Sequence, residues 1–420
     1  MILIKMCKKV SVRIQNAGRS ILGNFVLLLF LFAALDVKSQ TPGEVKGYFF
    51  TDEILASARK DSSRAQLNLA ALQFSFIGDY QNALFYMDKI SQPFNKLSPS
   101  DSASFKTLSE IDARQHISRI AKDNRAIIVN EAHHNAQHRV FTQSLLQPLY
   151  ERGYRYLCVE TLNVKDANLN HRKYPVLNSG WYSIEPQYGE LIRSALRIGY
   201  RLVAYEDTTD ADGLRREIHQ AENIGEVFKA DPDARILVHA GYDHIREDSA
   251  VGDWGKAMAG RLREITGIDP FTIDQEIMME HFHSTKENPY RELVNASKPA
   301  FYAYDDSTLF YGPLNRPKRV DARLFHPKTT YKYGRPEWLT MDGSKKYYML
   351  DPIKSHLPTP CLVFAYNFSE DKNEAVPADV IEVRTTEEKA LILYPGKYSL
   401  LVKDRQGKII LSKVISVAEH

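Results

Sequence analysis

The hydrophobic and polar positions of this chain follow three successive rhythms. From residue 41 to about 120, apolar side chains recur every three or four residues, the spacing of one helix face. Residues 64–90, RAQLNLAALQFSFIGDYQNALFYMDKI, carry that spacing on both sides of Gly78-Asp79-Tyr80, which predicts two antiparallel helices and a tight turn. Pro93 and the run Leu97-Ser98-Pro99-Ser100-Asp101-Ser102 interrupt the pattern, and a further helix over 103–121 leads into the next region. From 121 to 290, short apolar runs alternate with helical stretches. Strands are predicted at 126–129, 155–159, 201–204, 235–238 and 271–273, with helices near 137–152, 187–198, 212–230 and 253–266. The alternation predicts an α/β fold whose parallel sheet carries helices on both faces. Gly153 and Gly199 stand where helix ends need a left-handed residue before the next strand.

After about residue 290 the rhythm turns to β. Residues 291–350 form a β-rich extension, with turn signals at Gly312-Pro313, Asn315-Arg316-Pro317 and Asp342-Gly343. Within it, Arg335-Pro336-Glu337-Trp338-Leu339 reads as a packed surface turn. Residues 351–420 read as a small antiparallel, β-sandwich-like domain that caps the rest. Its hairpin turns at Asp404-Arg405-Gln406-Gly407 between alternating strands at 398–402 and 409–414. The expected order is therefore a helical N-terminal segment (41–120), an α/β catalytic or binding domain (121–290), the extension and the β domain. The lone helical hairpin of 64–90 has no second copy, and a solenoid needs about three repeats, so it is expected to act as a cap.

The chemistry gathers where the predicted strands end. The first gives Glu131, His133 and His134; the second Glu160; the third Glu206 and Asp207; the fourth His239 with Gly241-Tyr242-Asp243-His244; the fifth Asp274, Gln275 and Glu276. A parallel sheet brings those ends to one edge, where open α/β folds bind ligands. One Glu or His at a strand end is ordinary, but a succession over five strands points to a site. Neutral imidazoles with carboxylates can bind a divalent metal that makes hydroxide near neutral pH, and His133, His134, Glu160 and His244 are the candidate ligands. The same groups without metal can serve as general base and orienting carboxylate. His134 and His138 stand at helical spacing, but the interior Glu of a zincin motif is absent. There is no Gly-x-Ser-x-Gly elbow, Cys158 sits inside a strand pattern, and no dinucleotide fingerprint follows the first strand. The long polar and aromatic loop 162–185 is a candidate lid or substrate wall.

Composition adds the compartment. The 420 residues are 44% hydrophobic and 25% charged, an ordinary globular balance. The formal charge of +3 is misleading, because residues 1–39 carry +5 and the remainder −2. No basic excess of the kind nucleic acid requires is concentrated anywhere else, so no nucleic-acid partner is expected. Residues 1–39 read as a signal peptide: a basic start, the apolar run 25–35, and Val37-Lys38-Ser39 ahead of Gln40. The apolar run is short of the roughly 20 residues of a spanning helix, so no stable membrane anchor is expected after cleavage. The expected location is the periplasm, the cell surface or the medium of a bacterium. Only Cys158 and Cys361 remain beyond residue 39, too few for a disulfide framework.

Three motifs in order carry a family resemblance. IIVNEAHHNAQH resembles the Gly-Glu-x-His opening of the superfamily that groups erythromycin esterases with ChaN-type haem-binding lipoproteins, more distantly the TraB/Tiki-type metallopeptidases. RYLCVETL resembles its second strand, ending in Glu160, and RILVHAGYDHI its later Gly-x-x-His, here Gly241 and His244. Asn130 stands where the family has its leading Gly. The haem-binding spacing selects His133 and the esterase-like spacing His134; His138 falls on a polar motif position. Over about residues 120–280 the resemblance implies an α/β cleft lined by Glu131, His133 or His134, Arg139, Glu160 and His244. It implies either a hydrolase, with a His activating water with or without metal and Arg139 holding an oxyanion, or a haem-binding protein. Tyr182, Tyr188, Glu206, Tyr242 and His138 are the expected ligand contacts, and a small molecule or a peptide the expected substrate. Two smaller likenesses accompany it: Gly78-Asp79-Tyr80-x-x-Ala83-Leu84-x-Tyr86 resembles one tetratricopeptide-type hairpin, and the C-terminal unit resembles β-sandwich modules of exported bacterial enzymes.

Overall fold

Runs of β-branched and aliphatic residues, apolar on both faces, build the centre of the protein. The computed structural model describes residues 47–419 apart from 210–212, 250, 306–307, 351–356 and 386–388, and the segment 1–39 read as a signal peptide lies outside the described residues. Six strands pair in parallel in the order Arg201–Ala204, Tyr156–Val159, Ile236–Gly241, Ala126–Glu131, Phe271–Asp274, Ala322–Arg323. Alternate residues face opposite ways. Ile127, Val129, Leu157, Val159, Leu237 and Ile273 pack in one core with residues of the helices Ala113–Ile120, Ala136–Glu151 and Pro186–Ile198. Ala126, Ile128, Cys158, Ile236, Val238 and Ala240 pack in the other with the helices Gly213–Ala230 and Met258–Thr266. Both faces are covered, which is why these strands read as continuous apolar runs.

Three local differences from the sequence pattern have physical causes. The first and fourth strands extend to Glu131 and Gly241, so Asn130, Glu131 and His239 lie inside strands rather than beyond them. Their polar groups find partners within the sheet: the Asn130 side chain accepts from the Gln275 N–H at 2.7 Å and donates to the Tyr242 carbonyl at 3.0 Å. A buried polar group with a partner does not end a strand. The expected helix 103–121 is divided into a short helix Pro99–Phe105, a strand Ser109–Asp112 and the helix Ala113–Ile120. Pairing of that strand with Ala300–Ala303 outweighs helical propensity there. The sixth sheet strand, Ala322–Arg323, comes from the extension, past the expected boundary at 290.

The helices Arg64–Phe76 and Tyr80–Asp88 form the N-terminal hairpin. Gly78 turns it with φ +69°, and a Cβ there would strike the Arg335 side chain and the Val380 carbonyl. Its apolar side, with that of the preceding helix Thr51–Lys60, is covered by the C-terminal sheet: Phe74 and Ile77 of the hairpin and Phe50 and Ile54 of that helix and its cap pack with Leu362, Phe364, Tyr366 and Leu401. That sheet is antiparallel, in the order Asp379–Val383, Cys361–Asn367, Gly396–Lys403, Ile409–Val417. The pair Lys346–Met349 and Ala390–Leu393 lies against it, with Leu391 and Leu393 in a core with Val363 and Leu400. Among the described residues no helix is long and apolar enough to cross a membrane.

The shared core of hairpin and C-terminal sheet makes a prediction. Phe74→Ala should lower stability by roughly 3–5 kcal/mol, as for other buried Phe truncations. Urea unfolding followed by both tryptophan fluorescence and far-UV circular dichroism should show one coincident transition; separate transitions would contradict a common core.

Candidate active site

The carboxyl ends of the strands Tyr156–Val159, Ile236–Gly241 and Ala126–Glu131 meet where the strand order reverses, the place where sheets of this kind open a crevice. Glu131 lies at the base. Its Oε2 accepts from Arg139 Nε at 2.7 Å and pairs with His239 Nε2 at 2.8 Å; its Oε1 accepts from Arg139 Nη2 and pairs with His133 Nδ1, both at 2.8 Å. Burial alone would raise this carboxyl, but Arg139 and His239 outweigh it and hold it well below its ordinary range.

Arg139 projects from the helix Ala136–Glu151 and is 0% exposed. Besides gripping Glu131 it donates to Glu185 at 2.9 Å and to the His133 carbonyl at 2.7 Å. Its guanidinium lies 4.9 Å from the Tyr188 ring centre. The expectation that Arg139 holds a substrate anion is corrected on this ground: the fork is engaged inside the protein.

His133 and His134, adjacent in sequence, diverge. The His133 ring stacks on Tyr182, with centres 3.9 Å apart and planes at 20°, and meets Tyr242 edge-on at 4.9 Å. Gly241 lies between His133 and Glu160, and a Cβ there would come within 2.5 Å of His133 Nε2 and 2.8 Å of Glu160 Oε2. The Gly241 N–H donates to Glu160 Oε2. Thr161 and Tyr242, each just beyond one of these strands, hold φ of 60° and 43°, left-handed conformations that cost of order 1–3 kcal/mol and gather at functional sites. His134 instead faces a gap of about 10 Å3 lined by Tyr80, Glu280, Tyr331 and Trp338. Neither of its ring nitrogens has a hydrogen-bond partner among the described residues, and burial, with His281 nearby, pushes it down to about 3. The packed turn at Trp338 covers this gap, its ring 5.1 Å from that of Tyr80.

Glu160 and His244 complete the cluster. Arg216 Nη2 donates to Glu160 Oε1 at 3.1 Å and to Glu206 Oε2 at 3.0 Å. Burial raises the Glu160 carboxyl, and His244, His133 and Arg216 together bring it below its ordinary range. His244 Nδ1 is 2.7 Å from Glu217 Oε1, and the imidazole stacks on Trp254 at 5.1 Å and 11°. Its Nε2 lies 3.2 Å from Arg216 Nη1 and 3.7 Å from Glu160 Oε1, between a donor and an acceptor. Burial lowers this imidazole, but Glu217 and Glu160 prevail and raise it. The Arg216 side chain is 23% exposed, the cation of the cluster that solvent reaches.

Other expected contacts fall elsewhere. Tyr188 is buried beneath the cluster, its hydroxyl donating to the Glu160 carbonyl at 2.7 Å, so it supports the site and does not face a ligand. His138 is likewise buried: its Nδ1 accepts from the Ala132 N–H at 3.0 Å and its ring stacks on His326 at 5.6 Å. Burial, then His326, holds it well below its ordinary range. The fifth strand's acids sit to one side, where Asp274 pairs with Arg323 and burial with Asp274 and Asp243 raises Glu276 to about 8. Glu185, Arg216, Glu217 and the inward role of His239 carried no motif. Glu217 was legible only as a charge on an otherwise apolar face of its helix, beside Ala221, Ile224 and Phe228.

The donor set does not fit a metal. Among the described residues no three His, Cys, Asp or Glu side chains stand so that they could hold an ion, because Glu131 is surrounded by Arg139 and two imidazoles and His134 faces away. Cys158 is buried within the sheet and burial raises its thiol, so it offers no thiolate.

No protein-family model and no curated protein matches the chain. Solved structures match at low similarity. The type III effector HopBA1 is 12% identical, with 46% of this chain covering 96% of that one at a TM-score of 0.31. RRSP, a MARTX toxin effector domain from Vibrio vulnificus CMCP6, is 12% identical at a TM-score of 0.29, over 53% of this chain and 51% of that one. The C-terminal region of Pasteurella multocida toxin, described with a thiol-protease-like catalytic triad, is 10% identical at 0.30, over 80% and 54%. The alignments thus span about half of each of the two toxin chains. Similarity at this level carries no activity across.

The charge balance predicts a pH signature. His244 is raised in the folded state, so its stabilising contribution is full below the unfolded value of about 6.5 and is lost as pH rises through the folded value. The stability difference between the wild type and His244→Gln, measured by urea titration, should be largest below about pH 6.5 and shrink above it. A difference that grows with pH would contradict the assigned partners.

Proposed function

We propose that this protein is a hydrolase that cleaves an ester or amide bond with two imidazoles, His133 and His244, set on either side of an ionised Glu160. One observation supports the reading above the rest. Each imidazole has its Nδ1 on a buried carboxylate, Glu131 or Glu217, and its other edge beside Glu160. A carboxylate at Nδ1 selects for His133 the tautomer with an Nε2 lone pair and stabilises the cation that forms, and for His244, between Glu217 and Glu160, it favours the cation from the start.

In this mechanism His133 Nε2 takes a proton from water, and the water oxygen attacks the carbonyl carbon. Negative charge develops on the carbonyl oxygen, and Arg216 receives it through the one Nη1 N–H that its bonds to Glu206, Glu160 and His244 leave over, on a side chain partly exposed where Arg139 is enclosed. His244, whose cationic form Glu217 and Glu160 favour, gives its proton to the departing alcohol or amine. Solvent returns the two imidazoles to their starting states. Glu160 stays ionised and balances whichever imidazole is charged, while Tyr182 and Tyr242 flank the bond under attack. Within this proposal belong a place in the erythromycin esterase and ChaN-type superfamily, a small-molecule or peptide substrate, and a site of action outside the cytoplasm.

The test is a panel of aryl esters and short peptides with the purified chain and single variants. His133→Ala, Glu160→Gln and His244→Asn should each lower kcat/KM by roughly 10²–10⁴, the usual worth of a positioned acid or base. His134→Ala should leave it within about twofold. Gly241→Ala should abolish turnover, because its methyl would occupy the space between His133 and Glu160. Full turnover in all three of the first variants would sink the assignment, and loss of activity on chelation, restored by a divalent ion, would overturn the metal-free chemistry.

A further inference from the structure

A separate cavity of about 300 Å3 lies where the carboxyl half of the helix Pro186–Ile198 meets the C-terminal sheet. That volume is at the lower end of those that hold small ligands. Its wall includes Glu190, Arg193, Arg197, Phe368, Tyr394 and Lys397.

The charges of this wall do not balance. Glu190 pairs with Arg193 at 3.1 Å, and Arg193 also forms two bonds of 2.7 Å to Glu370 and donates to the Val376 carbonyl. That set is closed. Arg197 donates to Ser194 Oγ at 3.0 Å, and its guanidinium lies 5.5 Å from the centre of the Tyr394 ring. Neither Arg197 nor Lys397 forms an ion pair among the described residues, and against the two carboxylates that share Arg193 they leave the cavity with a net excess of one positive charge. The tyrosine hydroxyls beside them are engaged: Tyr394 accepts from Gln143 Nε2 at 2.9 Å, and Tyr398 donates to the Tyr394 carbonyl at 2.9 Å. What remains for a ligand is the Phe368 ring and the part of the Tyr394 ring that Arg197 and Lys345, whose Nζ lies 5.1 Å from its centre, leave uncovered. Phe368, 55% exposed, adds an apolar ring at the rim.

We propose that this cavity binds a small ring-bearing organic anion. Its carboxylate or phosphate is held by Arg197 and Lys397, and its ring rests against Tyr394 and Phe368. An arginine fork and an ammonium together match a tetrahedral or planar oxyanion, and a partly enclosed space strengthens the attraction relative to open solvent. The site is distinct from the Glu131 cluster, although the amino end of the same helix carries Glu185 and Tyr188 beneath that cluster.

The probe is phenylphosphonate, an aryl dianion with no ester bond to cleave, titrated calorimetrically into the full chain. Saturable one-to-one binding is expected, weakening as salt rises. The double variant Arg197→Gln/Lys397→Gln should bind at least tenfold more weakly with its melting temperature and circular dichroism unchanged, while His133→Ala should bind like the wild type. Inorganic phosphate should bind at least fivefold more weakly than the aryl probe. Absence of saturable binding, binding retained by the double variant, or binding lost in His133→Ala would overturn the site. Equal affinity for inorganic phosphate would overturn the ring contact.

Discussion

The buried contact between Glu131 and Arg139 holds the rest of the site in place. A strand and the helix that follows it meet through a bidentate pair with no access to solvent. Two charges withdrawn from water are tolerable only when their remaining hydrogen-bonding positions are filled. Here Glu185, the His133 carbonyl, His133 and His239 fill them. The pair therefore orients one imidazole toward Glu160, ties the helix Pro186–Ile198 through its N-cap residue Glu185, and draws His239 inward from the neighbouring strand. Removing Arg139 would strand a carboxylate in the interior, a loss of several kcal/mol that no surface ion pair approaches.

Around that anchor the electrostatics are arranged in opposed pairs. Glu131 and Glu160 both stay ionised below their ordinary range, because cations surround each of them more effectively than burial disfavours them. The imidazoles separate by environment. His244 lies against two carboxylates and is raised, whereas His134 and His138, buried and facing other imidazoles, are lowered. Histidines within a dozen residues of one another in sequence thus have different parts: His133 stands beside Glu160 at the strand ends and His138 fixes the turn that presents it.

The appended elements bear on the α/β unit through shared cores. The N-terminal hairpin is held against the C-terminal sheet by Phe74, Ile77, Phe364 and Leu401, and it reaches the site side through Tyr80, which donates to Glu185 at 3.1 Å. The helix Pro186–Ile198 links three features. Its first turn supports Arg139 and Glu160, its middle packs the sheet, and its last turns line the cavity with Arg197.

Sequence by itself determined the alternation of strands and helices, the parallel sheet, and the gathering of Glu131, His133, Glu160 and His244 at one edge. Those follow from periodicity and from the direction a parallel strand must run, which are local or topological rules. It also displayed the antiparallel hairpin at Asp404–Gly407, since alternation and turn chemistry are local. Only the tertiary structure decided which of the adjacent histidines stands beside Glu131 and Glu160, because one residue along an irregular turn reverses the direction of a side chain. It alone brought in Arg216 and Glu217 from a helix some 55 residues beyond Glu160, and left Arg139 enclosed and Arg216 partly exposed. Such choices depend on which charges can find partners once water is excluded, and that is a property of the assembled interior, not of any stretch of chain.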